Sequence, residues 1–373
     1  MLLALFLFGV LAGFMFQKNR IVTAYNAIIM WIITGWQYKT ADWWNYNFIF
    51  LDGTEKISLT FLGQPLYYIL NLLIGKFTQD VKYIYIICGA FAIILLIKAI
   101  KAYTERINLA LSFFMITVFL LYAVQIRNFV ALPILLFSIQ FLMPDKYNLT
   151  KFVFCIVLAS GFHISFMFYL LLVLIPFLNK WHSLLFLLFT SFFILIFQRY
   201  FGFLFLYFGM NNYSLTQSGD RTVLIYNLLT LIMLLLVLTA VYLISSFNKS
   251  IPSHNRDIAV IDSISNSTFS DKTINFFIKL IMFMFVCIPL NMVTVESVRL
   301  SRNLFPLFFC IFAKIHLHGW SFNYHKVRTK RILSTFFFTL VIAYCFVYSN
   351  LFIYRQCYET VFIALFENNL LFN

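Results

Sequence analysis

Ionisable residues beside apolar runs are the first candidates for chemistry in this sequence. Charged side chains are costly in or beside membrane helices, so those that occur there are functional candidates. Arg127 lies in LYAVQIRNFVALP, and Arg299 and Arg302 lie in ESVRLSRNLFPLF. A guanidinium binds phosphate oxygens through two N–H groups at once and keeps its charge when partly buried. The three arginines are therefore candidates for binding a diphosphate.

Two further positions are candidates for proton transfer and sugar binding. Asp42 lies in TADWWNYNF beside Trp43, Trp44 and Tyr46, and His163 lies in LASGFHISFMF. Aromatic faces stack on sugar rings, while a carboxylate or an imidazole can take a proton from a hydroxyl group. The sequence therefore has acid–base groups and aromatic rings, like the arginines, in or beside apolar runs.

Each candidate also has a structural alternative. Arg127 would be a helix-end side chain that extends toward the membrane surface. Arg299 and Arg302, at i and i+3, would form an ion network with Glu296. The aromatic segment would belong to an interfacial belt, and His163 would be a hydrogen-bonded core residue.

Histidine and cysteine spacing indicates no metal site. His316 and His318 are two residues apart and do not share a helix face well, and the six cysteines include no C-x-x-C pair. Most of the cysteines lie in apolar segments and are expected to be small buried hydrophobic residues. We therefore predict neither a metal nor a cofactor.

Composition places these residues in a membrane protein. Of 373 residues, 62% are hydrophobic and 11% are charged, and the mean hydropathy is +0.91. Soluble domains carry about 25% charged residues. The net charge of +14 comes from basic residues scattered singly between apolar runs. This pattern argues against a nucleic-acid partner and favours basic cytoplasmic loops.

The apolar runs predict an all-α fold, a polytopic integral membrane bundle of about 10–12 transmembrane helices with short re-entrant or interfacial helices. Residues 1–16 are expected to be a retained first helix, because Lys18 and Arg20 follow the apolar run. The clear candidate spans are Ile21–Trp36, Val81–Ile100, Leu109–Val124, Asn128–Met143, Leu184–Phe197, Val223–Ser246, Ile274–Val295, Leu304–His316 and Ile332–Leu351.

Two segments leave the topology open. Gln64–Lys76 is short enough to be re-entrant or interfacial, and Lys151–Phe177 is one long helix or two halves broken at Gly161. Two groups of basic residues, in Lys314–Arg331 and around Lys98–Arg106, are expected on the cytoplasmic side. Both lie there if Gln64–Lys76 does not cross the membrane and Lys151–Phe177 crosses it twice. That solution places Asp42, Arg127, His163 and Arg299 near the outer face. The rival solution separates Asp42 from Arg127.

We predict a single polytopic membrane domain over residues 1–373. Within it, residues 37–63 form an outward aromatic loop and residues 248–273 form a flexible cytoplasmic linker. Residues 354–373 form an amphipathic tail expected to lie on the membrane surface.

Five segments, taken in order, resemble the EpsG-like, Wzy-type family of polysaccharide polymerases. They are GWQYKTADWWNYNFIF, GQPLYYILNLL, VQIRNFVALPILLFSI, LASGFHISFMF and RLSRNLFPLF, spread over roughly residues 20–310. Gln64 stands where the family often has Glu, and Gln37 stands near where it often has Arg. If that Glu is a general base elsewhere, the acid–base role moves to Asp42 or His163, or activity is weakened.

The resemblance implies a polymerase of cell-surface polysaccharide in the bacterial plasma membrane. It would transfer a glycan from undecaprenyl diphosphate to the hydroxyl group of another lipid-linked repeat unit. Its partners would be that carrier-linked glycan, the lipid bilayer, and a chain-length regulator and a flippase of the same pathway. The implied roles are catalysis for Asp42, His163 and Arg127, diphosphate binding for Arg127, Arg299 and Arg302, and sugar binding for Trp43, Trp44, Tyr46 and Gln64.

Two other functions stay open at this point. A flippase of the lipid-linked unit would have two pseudo-symmetric halves with broken helices, and the sequence shows no such repeat. Another membrane glycosyltransferase with a lipid donor would use acidic residues in the first outward loop, where Asp42 and Asp52 lie.

Overall fold

The part of the chain that the structure describes is mostly helical and contains no strand, which confirms the predicted all-α membrane bundle. The computed structural model describes residues 1–53, 64–179, 182, 185, 188–194, 196–197, 221–249, 269–291, 297–318, 325–351 and 357–372. Most of the predicted linker 248–273 and the end of the loop 37–63 lie outside these residues. Among the described residues, five helices are long and apolar enough to cross a membrane, namely Lys82–Lys101, Ile107–Val124, Val223–Ser246, Asp271–Asn291 and Ile332–Ser349.

Backbone packing divides the chain into two compact units. The first consists of Met1–Phe141, Asn148–Leu170 and Phe337–Asn373, and the second of Leu142–Tyr147 and Leu171–Phe336. The helices of the first unit are α1 (Leu2–Met15), α2 (Arg20–Gly35), α3 (Trp43–Gly53), α4 (Pro65–Gly75), α5 (Lys82–Lys101), α6 (Ile107–Val124), α7 (Ile126–Ile139) and α8 (Leu149–Phe162). The single domain 1–373 stays a prediction.

Helix α7 is the central element of the first unit. It packs against α5 and α8. Every residue of Ile126–Ile139 is buried except Arg127 and Phe137. Pro133 lies inside the helix, where membrane helices tolerate it because neighbouring groups satisfy the freed backbone carbonyl. The centre of this unit is therefore an apolar helix with one arginine in its first turn.

Small residues let α1 approach α2 and α6 closely. A Cβ atom added to Gly13 would lie 2.2 Å from Ser112 Oγ and 2.9 Å from the Asn108 carbonyl oxygen. Ser112 Oγ donates to the Val10 carbonyl at 2.9 Å. Close backbone approach at small residues, joined by hydroxyl hydrogen bonds, is typical of helix packing in membranes.

The turn between α1 and α2 meets the beginning of α6 at one end of the first unit. Asn108 Nδ2 donates to the carbonyls of Phe16 at 2.6 Å and Asn19 at 2.8 Å. Lys18 Nζ forms an ion pair with Glu105 at 2.5 Å. We call this end the basic end, since it collects Lys18, Arg20, Lys98, Lys101 and Arg106. The positive-inside rule predicts that the basic end faces the cytoplasm.

The other end of the unit, which we call the arginine end because Arg127 lies there, brings together the end of α2 and the beginning of α5. Trp31 Nε1 donates to the Ile86 carbonyl at 2.9 Å, and Gln37 Nε2 donates to the Ala123 carbonyl at 2.6 Å. Gln64, just before α4, contacts Arg127. Both α4 and α5 thus begin at the arginine end. Because α4 extends only about 16 Å and a bilayer core measures about 30 Å, α4 does not cross.

The ambiguous segment Lys151–Phe177 consists of two helical pieces. Helix α8 ends at Phe162, and a 3-10 helix covers Ile164–Leu174. His163 between them has an extended backbone, with φ −151° and ψ 114°. The break that the sequence predicts at Gly161 therefore comes at His163.

The second unit contains α9 (Arg221–Lys249), α10 (Asp271–Met284), α11 (Cys287–Asn291), α12 (Val298–Arg302) and α13 (Phe305–His318), while α14 (His325–Ser349) is shared between the units. Helix α9 packs against α10 and α13. Thr273 Oγ1 donates to Asp145 Oδ2 at 3.1 Å, and Lys314 Nζ lies 3.9 Å from the centre of the Phe269 ring. The beginning of α10 and the end of α13 therefore lie at one end of this unit, as expected if the linker 248–273 and the basic loop Lys314–Arg331 are both cytoplasmic.

Replacing Gly13 with Ala is expected to destabilise the first unit by about 1–3 kcal/mol, because the new methyl group must displace Ser112 or the backbone of α6. Thermal unfolding of the purified protein in detergent measures this change. The matched control is Leu11→Ala on the same helix, where the side chain is 62% exposed. An unchanged melting temperature for Gly13→Ala would contradict the close packing of α1 on α6.

Candidate functional site

A one-residue turn places Arg127 at the arginine end. Helix α6 ends at Val124 and α7 begins at Ile126, with Gln125 between them at φ −90° and ψ 64°. Such an abrupt reversal leaves little room for a loop. It sets Arg127 in the first turn of α7, where its side chain contacts the buried rings of Tyr46 and Tyr67.

The Arg127 guanidinium is held by partners from α3 and from the residue before α4. Its Nη1 donates to Gln64 Oε1 at 2.5 Å. Its Cζ lies 4.9 Å from the centre of the Tyr46 ring and 5.7 Å from that of Tyr67, and Tyr46 is also a hydrogen-bond partner. These partners are neutral, so they orient the guanidinium without cancelling its charge. A guanidinium has five N–H donors, which leaves donors for an anionic ligand.

The beginning of α4 supplies two contacts to Arg127, from Gln64 just before the helix and from Tyr67 in its first turn. Pro65 begins the helix, a position where the missing N–H has no cost. Gln64 and Tyr67 are three residues apart and therefore face the same side. Tyr67 and Tyr85, whose rings surround Tyr46 at 5.9 and 5.8 Å, were not singled out from the sequence. The three-residue spacing between Gln64 and Tyr67 could have indicated that Tyr67 faces the site. Nothing in the sequence around Tyr85 indicates that it does.

Asp42 lies immediately before α3, on the same side of the unit. The Tyr46 N–H donates to the Asp42 carbonyl at 3.0 Å, and the Trp43 N–H donates to the Thr40 carbonyl at 3.0 Å. The Asp42 carboxylate is close enough to Arg127 to attract its charge. The structure therefore brings Asp42, Tyr46, Gln64 and Arg127 together.

The aromatic residues after Asp42 differ in exposure. Trp44 is 61% exposed and Trp43 is half-buried, with the two rings edge to face at 4.8 Å. Tyr46 is only 2% exposed and packs on Arg127. Trp43 and Trp44 thus offer ring surface to a sugar, while Tyr46 contacts the arginine. The predicted sugar-binding roles of the four residues, Gln64 included, stay predictions.

Gln37 joins the two helices that lead to the site. In addition to its bond to Ala123, its Nε2 donates to the Thr34 carbonyl at 3.0 Å, and its Oε1 accepts from Thr40 Oγ1 at 2.9 Å. The side chain is fully buried. An amide can donate and accept at once, which suits this position between two helix ends and the loop that carries Asp42.

His163 lies where α8 breaks, near the start of α4. A Cβ atom added to Gly161 would lie 2.6 Å from Leu66, which places the end of α8 beside α4. The Ser165 N–H donates to His163 Nδ1 at 3.3 Å, and Ser165 Oγ lies 2.8 Å from the same atom. Because Nδ1 accepts from a backbone N–H, a neutral His163 carries its proton on Nε2. It is then a hydrogen-bond donor, so we favour Asp42 as the proton acceptor.

Arg299 and Arg302 belong to the second unit. Both lie on the short helix α12, where Arg302 is 5% exposed and Arg299 is half-buried. Their predicted partner Glu296 lies outside the described residues. A diphosphate site shared by these arginines and Arg127 stays a prediction.

Cysteines and metal-binding side chains contribute nothing further to this site. Cys88, Cys287, Cys310 and Cys345 are buried. Within the described ranges, no three His, Cys, Asp or Glu side chains come together as metal ligands. The expectation of a site without metal or cofactor stays a prediction.

The fold and the site define a multi-pass α-helical membrane protein with a partly buried arginine, a carboxylate and aromatic rings at one end of a helical unit. A family model described as the EpsG family matches residues 20–363. The chain therefore belongs to the EpsG family, which indicates a polymerase-like role in polysaccharide biosynthesis. Comparison with curated proteins and with solved structures gives no significant match.

Gln64→Glu and Gln64→Leu separate a positioning role from an acid–base role for this residue. Glu can still accept the bond from Arg127, so we expect it to keep most of the polysaccharide output. Leu cannot accept, and we expect a loss of about tenfold or more, the usual scale for a hydrogen bond to a charged group. The measurement is the amount of surface polysaccharide per cell at equal membrane protein level. Equal output from both variants would remove the Gln64–Arg127 bond from the function.

His163→Gln and His163→Asn test which imidazole nitrogen acts. A Gln amide nitrogen reaches the position of Nε2, whereas an Asn amide reaches that of Nδ1. Because the structure places the proton on Nε2, we expect Gln to keep more polysaccharide output than Asn. Ser165→Ala, which removes the hydroxyl beside Nδ1, serves as the control and should have a smaller effect than either. Higher output from Asn than from Gln would contradict the Nε2 assignment.

Proposed function

We propose that this protein polymerises a cell-surface polysaccharide in the bacterial plasma membrane. It transfers a glycan from undecaprenyl diphosphate to a hydroxyl group of another lipid-linked repeat unit. Family membership supports the polymerase-like role. The observation that carries the finer proposal is the Arg127 guanidinium, oriented by the neutral partners Gln64 and Tyr46 beside Asp42.

The reaction needs charge stabilisation where the leaving group forms. The acceptor hydroxyl oxygen bonds to the anomeric carbon, the bond from that carbon to the phosphate oxygen breaks, and undecaprenyl diphosphate leaves. Preorganised donors aimed at developing negative charge are usually the largest contribution to catalysis. Arg127 supplies such donors without reorganisation, because its partners already hold it. In this proposal Arg299 and Arg302 also bind diphosphate.

The proton of the acceptor hydroxyl goes to Asp42. Asp42 directly precedes Trp43 and Trp44 in the chain, and the exposed ring surface of these two residues suits an acceptor sugar. His163, with Nε2–H as donor, binds a sugar or phosphate oxygen. A chain-length regulator and a flippase of the same pathway are further proposed partners.

Arg127→Ala is expected to reduce polymer by about 100-fold or more, because the charge on the leaving diphosphate loses its donor. Arg127→Lys is expected to recover little, since an ammonium cannot form the paired N–H contacts of a guanidinium. The measurements are glycan length on gels and the amount of single repeat units on the lipid carrier. Arg20→Gln, at the basic end, is the control expected to leave polymer unchanged.

The location of the single repeat units distinguishes this proposal from a flippase. A polymerase defect leaves lipid-linked units on the outer face, where a membrane-impermeant glycosidase digests them. A flippase defect leaves them protected inside. Full-length polymer in Arg127→Ala would overturn the proposed role of this arginine.

A further inference from the structure

The C-terminal segment 357–372 packs into the first unit beside the site. A π-helix covers Tyr358–Ile363 and a short helix covers Ala364–Phe366. Val361 and Leu365 are 3% and 0% exposed, and the Phe366 ring meets Phe6 of α1 edge to face at 5.5 Å. These buried side chains belong to the core of this unit. The predicted surface location of the tail 354–373 stays a prediction, since residues 352–356 are outside the described part.

This segment caps the end of α2. The Leu370 N–H donates to the Trp36 carbonyl at 2.8 Å, and Asn369 Nδ2 donates to the Ile32 carbonyl at 3.1 Å. Asn369 Oδ1 accepts from the Leu371 N–H at 3.1 Å, and the side chain is fully buried. The last carbonyls of a helix have no partner within the helix. Leu370 gives the Trp36 carbonyl, just past the end of α2, its partner. The Ile32 carbonyl already accepts from the Trp36 N–H at 3.3 Å, and Asn369 adds a second bond to it from 337 positions away in sequence.

The same segment also holds the residue before Asp42. The Ala41 N–H donates to the Thr360 carbonyl at 3.0 Å. The loop from Trp36 to Ala41 is therefore bonded to the C-terminal segment at both ends. Within the loop, the Gln37 side chain bonds to Ala123 and to Thr40. Within this loop Lys39 has a positive φ of 53°, a conformation that costs energy for a residue other than glycine. Such a backbone conformation persists when the surrounding contacts determine it.

We propose that the C-terminal segment positions the Asp42 loop for the reaction, with Asn369 as the positioning residue. This inference rests on the proposed function, because it assigns the segment a role in placing the proton acceptor. Asn369 itself touches no reacting atom in this proposal. It acts by fixing the end of α2, from which the loop continues to Asp42. Gln64 and Tyr67 hold Arg127 from the α4 side, independently of this loop, so diphosphate binding should depend on Asn369 less than proton transfer does.

Asn369→Leu tests this role, because it removes both side-chain hydrogen bonds at similar volume. Polymerisation is measured in membranes, with lipid-linked repeat units extracted from cells that lack this protein. We expect the turnover number to fall by about 10- to 100-fold, the scale of a small misplacement of a reacting group. KM is expected to change less than the turnover number, because Arg127 keeps Gln64 and Tyr67 as partners. The neighbouring Asn368→Ala is the control and should match the wild type.

An engineered disulfide between the loop and the C-terminal segment is expected to restore the turnover that Asn369→Leu loses. Ala41 and Thr360 are both exposed and are joined by a backbone hydrogen bond, so their Cα atoms are near the roughly 4.4–6.8 Å range that a disulfide needs. In an Asn369→Leu background with Cys357→Ser, Ala41→Cys and Thr360→Cys should form a cross-link that restores turnover. Reduction with dithiothreitol should abolish the restored activity. A merely destabilised protein would not switch in this way at constant membrane level.

Three outcomes would overturn the positioning role. They are wild-type turnover in Asn369→Leu, a rise in KM without a fall in turnover, and a confirmed cross-link that restores nothing. The proposed function fails separately, if Arg127→Ala polymerises like the wild type. Loss of polymer in Arg127→Ala with normal polymer in Asn369→Leu would retain the function and reject only the role of the C-terminal segment.

Discussion

A guanidinium at the end of a buried helix must find polar partners, and the first unit is arranged around that requirement. Helix α7 is apolar and almost wholly buried, and Arg127 stands in its first turn. An unpaired charge in such surroundings would be costly. Gln64 accepts from its Nη1, and the ring faces of Tyr46 and Tyr67 contact it without carrying charge. Among the described residues, its Nε is buried with no hydrogen-bond partner, and the Asp42 carboxylate is the charged group that attracts it.

The partners of Arg127 come from the short helices α3 and α4 and the residue just before α4. Neither is long enough to cross a bilayer, and each carries a contact of Arg127 near its beginning. A spanning helix has little freedom to place a side chain at a chosen depth, because its length is set by the bilayer. Helices that begin and end near one face are free of that constraint. They can bring an amide, a carboxylate and aromatic rings to a single arginine.

The loop that carries Asp42 depends on contacts from distant parts of the chain. Gln37 fixes it to the end of α6, and the C-terminal segment fixes it at Trp36 and Ala41. Loops are usually the mobile part of a fold, and a reacting group on a mobile loop spends little time in the productive position. These three points of attachment restrict the positions that the loop can adopt, as the hydrogen bonds of a helix would. Asp42 then has a fixed place relative to the arginine.

The sequence by itself determined the class of fold, the central apolar run with Arg127 beside it, and the family. Hydropathy reports the bilayer directly, since about 20 apolar residues are needed to cross it, and charge beside such runs is rare enough to mark candidates. The break near Gly161 and the non-crossing Gln64–Lys76 segment were foreseen only as alternatives. The tertiary structure put the break at His163 and brought the beginnings of α4 and α5 to one end of the first unit, which segment length alone does not determine. It also revealed Tyr67, Tyr85 and Asn369, since a tyrosine or an asparagine in an apolar segment looks ordinary until the residue it contacts, far away in sequence, is known.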